Sequence, residues 1–151
     1  MSLFEFSEEE EFILNGGART DWKIDCDALT GRDLVSLVRM VRQAVKWYSG
    51  VEGIPTGGTR LAEALKPYTN TAGPYLLVDD VLTTGGSMKR AREAIHKKFN
   101  ISIRERPNFV QGLVIFARGP CPHWITALYQ AHPSLWLSQS GGQKDFIVSK
   151  N

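Results

Sequence analysis

The sequence predicts an α/β fold, a mainly parallel sheet flanked by helices with a small hairpin ahead of it. Three observations lead there. The runs Tyr75-Leu76-Leu77-Val78 and Val110 to Phe116 are apolar throughout, as expected of strands covered on both faces. Stretches with helical spacing of apolar residues stand between the strand-like runs, the alternation that produces parallel sheets. Glycine-rich turns follow two of the strands and open into helices.

Each element has its own warrant. Leu3 to Phe6 followed by Glu8 to Glu11 suits either a first helix capped at Ser7, with acidic residues at its positive end, or a solvated acidic run. Phe12-Ile13-Leu14, the turn Asn15-Gly16-Gly17 and the alternating Trp22 to Cys26 predict a strand, turn, strand hairpin. From Asp33 to Tyr48, Leu34, Leu37, Val38, Val41, Ala44, Val45 and Tyr48 form one helical stripe, with Thr30 and Asp33 as a capping box and Gly50 as a stop. A short strand over Val51 to Ile54 runs into Pro55-Thr56-Gly57-Gly58, and a helix follows from Arg60 to Leu65. Lys66 to Pro74 is a polar connection. The strand of Leu76 to Val78 ends on Asp79-Asp80, and a helix resumes after Ser87 with Met88, Ala91, Ile95 and Phe99 on one face and His96, Lys97 and Lys98 near its negative end. Past the Val110 to Phe116 strand, the spacing predicts a helix over Trp124 to Ala131, a short strand over Leu135 to Leu137 and an edge strand over Phe146 to Val148.

With 151 residues and 42% hydrophobic content the chain is expected to form one domain over 1–151. A net charge of +2 with 23% charged residues gives no field that calls for nucleic acid or a membrane surface as partner. No apolar run approaches the ~18 residues of a membrane span. The acidic start is unlike a targeting peptide, and two cysteines, Cys26 and Cys121, far apart in sequence suit reduced thiols in the cytoplasm. His96, His123 and His132 have no metal-ligand spacing with either cysteine and are read as structural or surface residues.

The chemistry concentrates in one segment. A buried strand delivers Asp79 and Asp80 and then a Thr83-Thr84-Gly85-Gly86-Ser87 turn to the start of a helix. Free backbone N–H groups and the positive end of the helix dipole favour a phosphate, glycines permit close approach, and the hydroxyls add donors. Two carboxylates at the C-terminal edge of the sheet suit ribose hydroxyls or Mg²⁺. As isolated fragments, an Asp-Asp pair and a Gly-Gly turn are equally compatible with a solvated strand end.

The whole string from Leu76 to Ser87, through Asp79, Asp80, Val81 and Leu82, closely resembles the signature with which type I phosphoribosyltransferases bind 5-phosphoribosyl-1-pyrophosphate (PRPP). Upstream, Gly53-Ile54-Pro55-Thr56-Gly57-Gly58-Thr59 resembles the family's pyrophosphate loop, although on its own it also fits an ordinary Pro/Gly turn. Phe12 to Gly17, Asp21 to Asp25 and Thr30 to Leu34 are similar in order and spacing to the start of the orotate phosphoribosyltransferases, whose hairpin forms a hood over the base. The likeness runs from about Phe12 to Arg118.

That resemblance implies a glycosyltransferase that moves ribose 5-phosphate from Mg²⁺-bound PRPP to a pyrimidine or related nucleobase, orotate foremost, in a homodimer. It implies that Asp79 and Asp80 hold the ribose or the metal and act in catalysis, that Val81 to Ser87 hold the sugar phosphate, and that Pro55, Thr56, Gly57, Gly58 and Thr59 hold pyrophosphate. Asn15, Lys23 and Arg118 would face the base, although exposed basic residues near hairpins are more often plain solubilising charge. The long apolar face of the Asp33 to Tyr48 helix also points to a dimer. Two departures stand out. The family's strand and mobile loop, which carry a lysine to the neighbouring active site, have only Lys66 to Pro74 in their place, and Asn15 stands where the orotate enzymes often have lysine. A lid excludes water and completes the charge constellation, so its loss lowers turnover and leaves open a second reading, a non-catalytic PRPP or nucleotide sensor.

Overall fold

The computed structural model describes residues 2–9, 11–14, 17 and 19–133. The expected strands over Leu135 to Leu137 and Phe146 to Val148 lie outside them. Eight strands and three α-helices follow in chain order among the described residues: β1 (Phe4–Phe6), β2 (Phe12–Ile13), β3 (Arg19–Thr20), β4 (Trp22–Ile24), α1 (Gly31–Ala44), β5 (Gly50–Gly53), α2 (Thr59–Leu65), β6 (Tyr75–Leu82), α3 (Gly86–Lys98), β7 (Val110–Ala117) and β8 (Ile125–Gln130).

The centre is a four-stranded sheet in the order β5-β6-β7-β8, with every neighbouring pair parallel. Alternate residues of the inner strands supply two separate cores. Leu76, Val78, Leu113 and Ile115 pack with Leu37, Val38 and Val41 of α1 and Leu61, Ala62 and Leu65 of α2. Leu77, Val110 and Val114 pack with Met88 and Ile95 of α3, together with Trp124 and Ile125. Apolar coverage of both faces is why these strands show no polar alternation in sequence.

The capping box at the start of α1 is present, with the Thr30 hydroxyl accepting from the Asp33 N–H and the Asp33 carboxylate accepting from the Thr30 N–H at 2.7 Å. The helix stops at Ala44 and does not reach Tyr48. The stripe outlasts the helix because the extended chain after Val45 carries Tyr48 into the core, where its hydroxyl donates to the Leu65 carbonyl at 2.8 Å. A second expectation fails at β8. Trp124 to Ala131 is not a helix: Ile125–Gln130 is a parallel strand beside β7. β-branched and aromatic residues, Ile125, Thr126 and Tyr129, favour that edge position over a helix.

At the N-terminus an antiparallel hairpin is present, but Phe12–Ile13 pairs with Arg19–Thr20 and not with the expected partner strand at Trp22 to Cys26. β2 pairs with β3, and β1 pairs antiparallel with β4, so Phe4–Phe6 is a strand and no helix among the described residues is capped at Ser7. Phe4 meets Phe116 edge to face at 5.8 Å, while Leu3, Ile24 and Leu29 pack on the α1 side of the core. This ties the hairpins to the end of β7. No helix among the described residues is long and apolar enough to cross a membrane.

Candidate functional site

β6 runs past the expected end of its strand, through Asp79 and Asp80 to Leu82, and its last residues pair with Phe116 and Ala117 of β7. Extension of the ladder holds the two carboxylates on rigid backbone at the C-terminal edge of the sheet. The Asp79 carboxylate accepts from the Asp80 N–H at 2.9 Å, and the Asp80 carboxylate accepts from the Val81 N–H at 2.7 Å. Burial pushes the Asp79 carboxyl up to about 7, and the neighbouring Asp80 charge adds to the rise against the relief given by its backbone bond.

The turn after β6 leads into α3 through Gly85, which has φ +78°, a left-handed conformation that glycine adopts without cost. Gly85 caps α3 without a side-chain hydrogen bond, so the first N–H groups of the helix face the turn free of internal side-chain acceptors. Arg90, one turn into α3, lies over this end, with its guanidinium 3.4 Å from the Ser87 hydroxyl. It makes no ion pair among the described residues.

Facing the turn is the loop after β5, which includes a cis Pro55-Thr56 peptide. The Ile54 N–H donates to the Val78 carbonyl at 2.8 Å, and the Gly58 N–H donates back to Ile54 at 2.8 Å, fastening the loop to β6. The space above Gly57 is filled by the Asp80 carboxyl and that above Gly58 by the Val78 carbonyl oxygen, so a side chain at either position collides.

These segments enclose a cleft of about 500 Å³. Pro55, Thr56, Gly57, Asp79, Asp80, Val81, Leu82, Thr83, Thr84, Gly85, Gly86, Ser87 and Arg118 all line it. Gly58 and Thr59 do not: they form the underside of the loop and the first residue of α2. Lys23 is also absent from the lining, its ammonium held by Glu5 across the β1–β4 pair at 2.9 Å and placed over the Phe12 ring. Asn15 lies outside the described residues.

Arg118 is 2% exposed. Its guanidinium stacks on the Trp22 ring, 3.8 Å from the centroid, and donates to the Thr20 hydroxyl and the Trp22 carbonyl. Burial lowers it to about 10, so it keeps its charge at neutral pH. Its Nε is buried with no hydrogen-bond partner among the described residues.

Sequence reasoning missed the third wall. Leu14, Ile24, Asp25, Cys26 and Asp27 close the cleft from the hairpin side, and Arg90 joins at the α3 end. The Asp25 carboxylate caps a short 3-10 turn by accepting from the Asp27 N–H at 3.1 Å. The thiol of Cys26 is pushed up to about 12, chiefly by burial and then by Asp80, Asp25, Asp27 and Asp79, which keeps it protonated and unreactive. Two acids flanking a cysteine gave a signal of local charge, and nothing in the spacing showed that it faced Asp79 and Asp80.

No group of three or more metal-ligating side chains occurs among the described residues. Two adjacent carboxylates, one of them resisting ionisation, nevertheless suit Mg²⁺, which is commonly held by one or two carboxylates and completed by substrate phosphate oxygens and water.

No protein-family model matches the sequence, and no curated protein does. Solved structures do match the fold. Orotate phosphoribosyltransferase from Aeropyrum pernix is similar at a TM-score of 0.59 and 21% identity, over 80% of this chain and 86% of that one. The Francisella tularensis enzyme gives 0.52 and 15%, over 85% and 80%. The Mycobacterium tuberculosis enzyme in complex with inorganic phosphate gives 0.52 and 17%, over 83% and 88%. With the all-parallel sheet, its flanking helices and the N-terminal hairpins, these similarities establish that the chain has the fold of the type I phosphoribosyltransferases.

Proposed function

We propose that this protein binds Mg²⁺-bound PRPP in the cleft and transfers its phosphoribosyl group to a nucleobase, releasing pyrophosphate. The observation that carries the reading is the convergence of the uncapped start of α3, the Asp79–Asp80 pair and the 54–57 loop on one cleft. The start of α3 with Thr83, Thr84 and Ser87 receives the 5-phosphate, helped by the Arg90 charge. The carboxylates of Asp79 and Asp80 accept from the ribose hydroxyls or hold Mg²⁺, and Pro55 to Gly57 present backbone to the pyrophosphate. Mg²⁺ supplies charge neutralisation of the leaving group.

During transfer the C1–O bond to pyrophosphate breaks, its electron pair leaves with pyrophosphate, a ring nitrogen bonds to C1, and the ring N–H proton passes to water. An oxocarbenium-like ribose forms on the way, so holding both phosphate ends while the base is placed against C1 is the main catalytic task. Orotate is the acceptor that the hairpin resemblance implies, and a homodimer is part of the same reading. The short connection at 66–74, set against the longer mobile loop that the resemblance leads one to expect there, supports a second reading, a PRPP or nucleotide sensor without turnover.

Calorimetric titration with Mg-PRPP tests the site. Asp79→Asn combined with Asp80→Asn is expected to weaken PRPP binding at least about 100-fold, the loss of two charge-assisted contacts, while leaving the fold intact. Unchanged PRPP affinity in that variant overturns the assignment. Product formation on addition of a base decides between enzyme and sensor.

A further inference from the structure

The small net charge of the chain conceals a division. Residues 1–30 hold eight acids and two bases, a net −6, while residues 31–151 hold 16 bases and eight acids, a net +8. Two exposed surfaces concentrate the opposite signs. On α1, Arg32, Arg39 and Arg42 stand at helical spacing on the face away from the core, and Lys46 follows just past the helix end. None of the four makes an ion pair among the described residues. Outside the described residues the sequence holds only two acids, Glu10 and Asp145, too few to neutralise the row. Val35 and Trp47 beside these cations are 56% and 60% exposed.

The connection from β1 to β2 is the counterpart. Glu8 and Glu9 are exposed and make no ion pair among the described residues, and they stand between Phe6 and Ile13, which are 66% and 71% exposed. Within one copy the two surfaces do not meet. The acids of 1–30 that form ion pairs do so inside the hairpins, Glu5 with Lys23 and Glu11 with Arg19.

We propose that two copies of this chain associate reciprocally, the 6–13 segment of each lying on α1 of the other. An acidic and apolar segment then meets a basic and apolar face, which removes exposed Phe6, Ile13, Val35 and Trp47 from water and gives the charges partners. A two-fold arrangement uses both surfaces of both copies. A homodimer is part of the reading above, but these surfaces follow from charge and exposure alone and stand without it. The association also acts on the cleft. β2 has two residues and joins β3 through a two-residue ladder, a pairing that is marginal by itself. Leu14, next to β2, lines the cleft, and Thr20 of β3 receives Arg118. A partner that holds the 6–13 segment therefore orders the hairpin wall.

Sedimentation equilibrium of the full chain without ligand tests the surfaces. A dimer is expected whose dissociation constant rises at least about tenfold between about 0.1 M and about 1 M salt, where screening shortens from about 10 Å to about 3 Å. Glu8→Lys with Glu9→Lys, and separately Arg39→Glu with Lys46→Glu, is each expected to weaken self-association at least about 100-fold, because like charges then face each other. An equimolar mixture of the two variants is expected to form a heterodimer within about tenfold of the parent affinity, since both contacts regain opposite signs. All four side chains are exposed, and melting curves of the variants check the fold. A monomeric parent, a dimer that survives both reversals, or monomeric variants that fail to recombine overturns the proposed surfaces. Amide exchange in β2 and β3 tests the coupling, with slowing of at least about tenfold expected from dilute monomer to concentrated dimer. Dimers in which that exchange is unchanged overturn the ordering of the hairpin wall.

Discussion

Asp79 sits where the energetic conflict of the site is sharpest. Its carboxyl is raised to about 7 in the folded chain, mainly by burial, against an ordinary value of 3.8. Between those values the native state holds a proton that the unfolded state has lost, so this group's contribution to stability is complete below about pH 4 and declines as pH rises to 7. A cation at the site reverses the conflict by favouring the ionised form. In metal-free protein at pH 8, Asp79→Asn is expected to raise stability by about 1–2 kcal/mol, a value reduced from the full shift because the group keeps some solvent contact. The gain should shrink below pH 5 and with Mg²⁺ added. Melting curves at pH 5 and pH 8, with chelator and with Mg²⁺, measure it. A variant no more stable than the parent at pH 8 would show that Asp79 ionises there without cost.

At the scale of elements, the two glycines of the loop after β5 have different jobs. A methyl group on Gly57 meets the Asp80 side chain, which can turn aside, whereas one on Gly58 meets the Val78 carbonyl and the Ile54 amide, which are fixed by their mutual hydrogen bond. Gly58→Ala is therefore expected to cost about 1–3 kcal/mol of stability, as overpacking against backbone does. Gly57→Ala should leave the melting temperature within about 2 °C but displace the Asp80 carboxylate and weaken Mg-PRPP binding about tenfold or more. Thermal melts paired with titration separate the two.

The same elements show what the chain made legible. Helix α1 was readable at its start, because a capping box is local chemistry, and unreadable at its end, because Tyr48 is buried by a contact with Leu65 that no periodicity encodes. β8 was misread because its strand character comes from the ladder beside β7. In the site, the 79–87 string and the 55–57 loop were legible since each is contiguous, with a strand, a turn and a helix start in order. The hairpin wall was not, because Asp25 and Asp27 become part of the cleft only when the hairpins dock.

That docking is the property of the whole molecule on which the hairpin side of the cleft depends. Arg118 at the end of β7 donates to Thr20 and Trp22, partners 98 and 96 residues away in sequence, and stacks on the Trp22 ring. Phe4 against Phe116 adds an apolar contact to the same joint. Replacing a buried, partly satisfied charge by an apolar side chain of similar length removes both a desolvation penalty and two hydrogen bonds, so the net effect on global stability is small. The effect on the joint is not, since nothing apolar replaces the bonds that orient the hairpins. Arg118→Met is expected to accelerate amide exchange in β3 and β4 at least about tenfold, corresponding to roughly 1.4 kcal/mol of lost local protection, while β6 and β7 stay protected. Nucleoside monophosphate affinity should fall with it, and pyrophosphate affinity should not, because the 54–57 loop is fastened to β6 independently of Arg118. Equal acceleration in the hairpins and the central strands would instead mean that hairpins and sheet open as one cooperative unit, with the hairpin wall as rigid as the turn after β6.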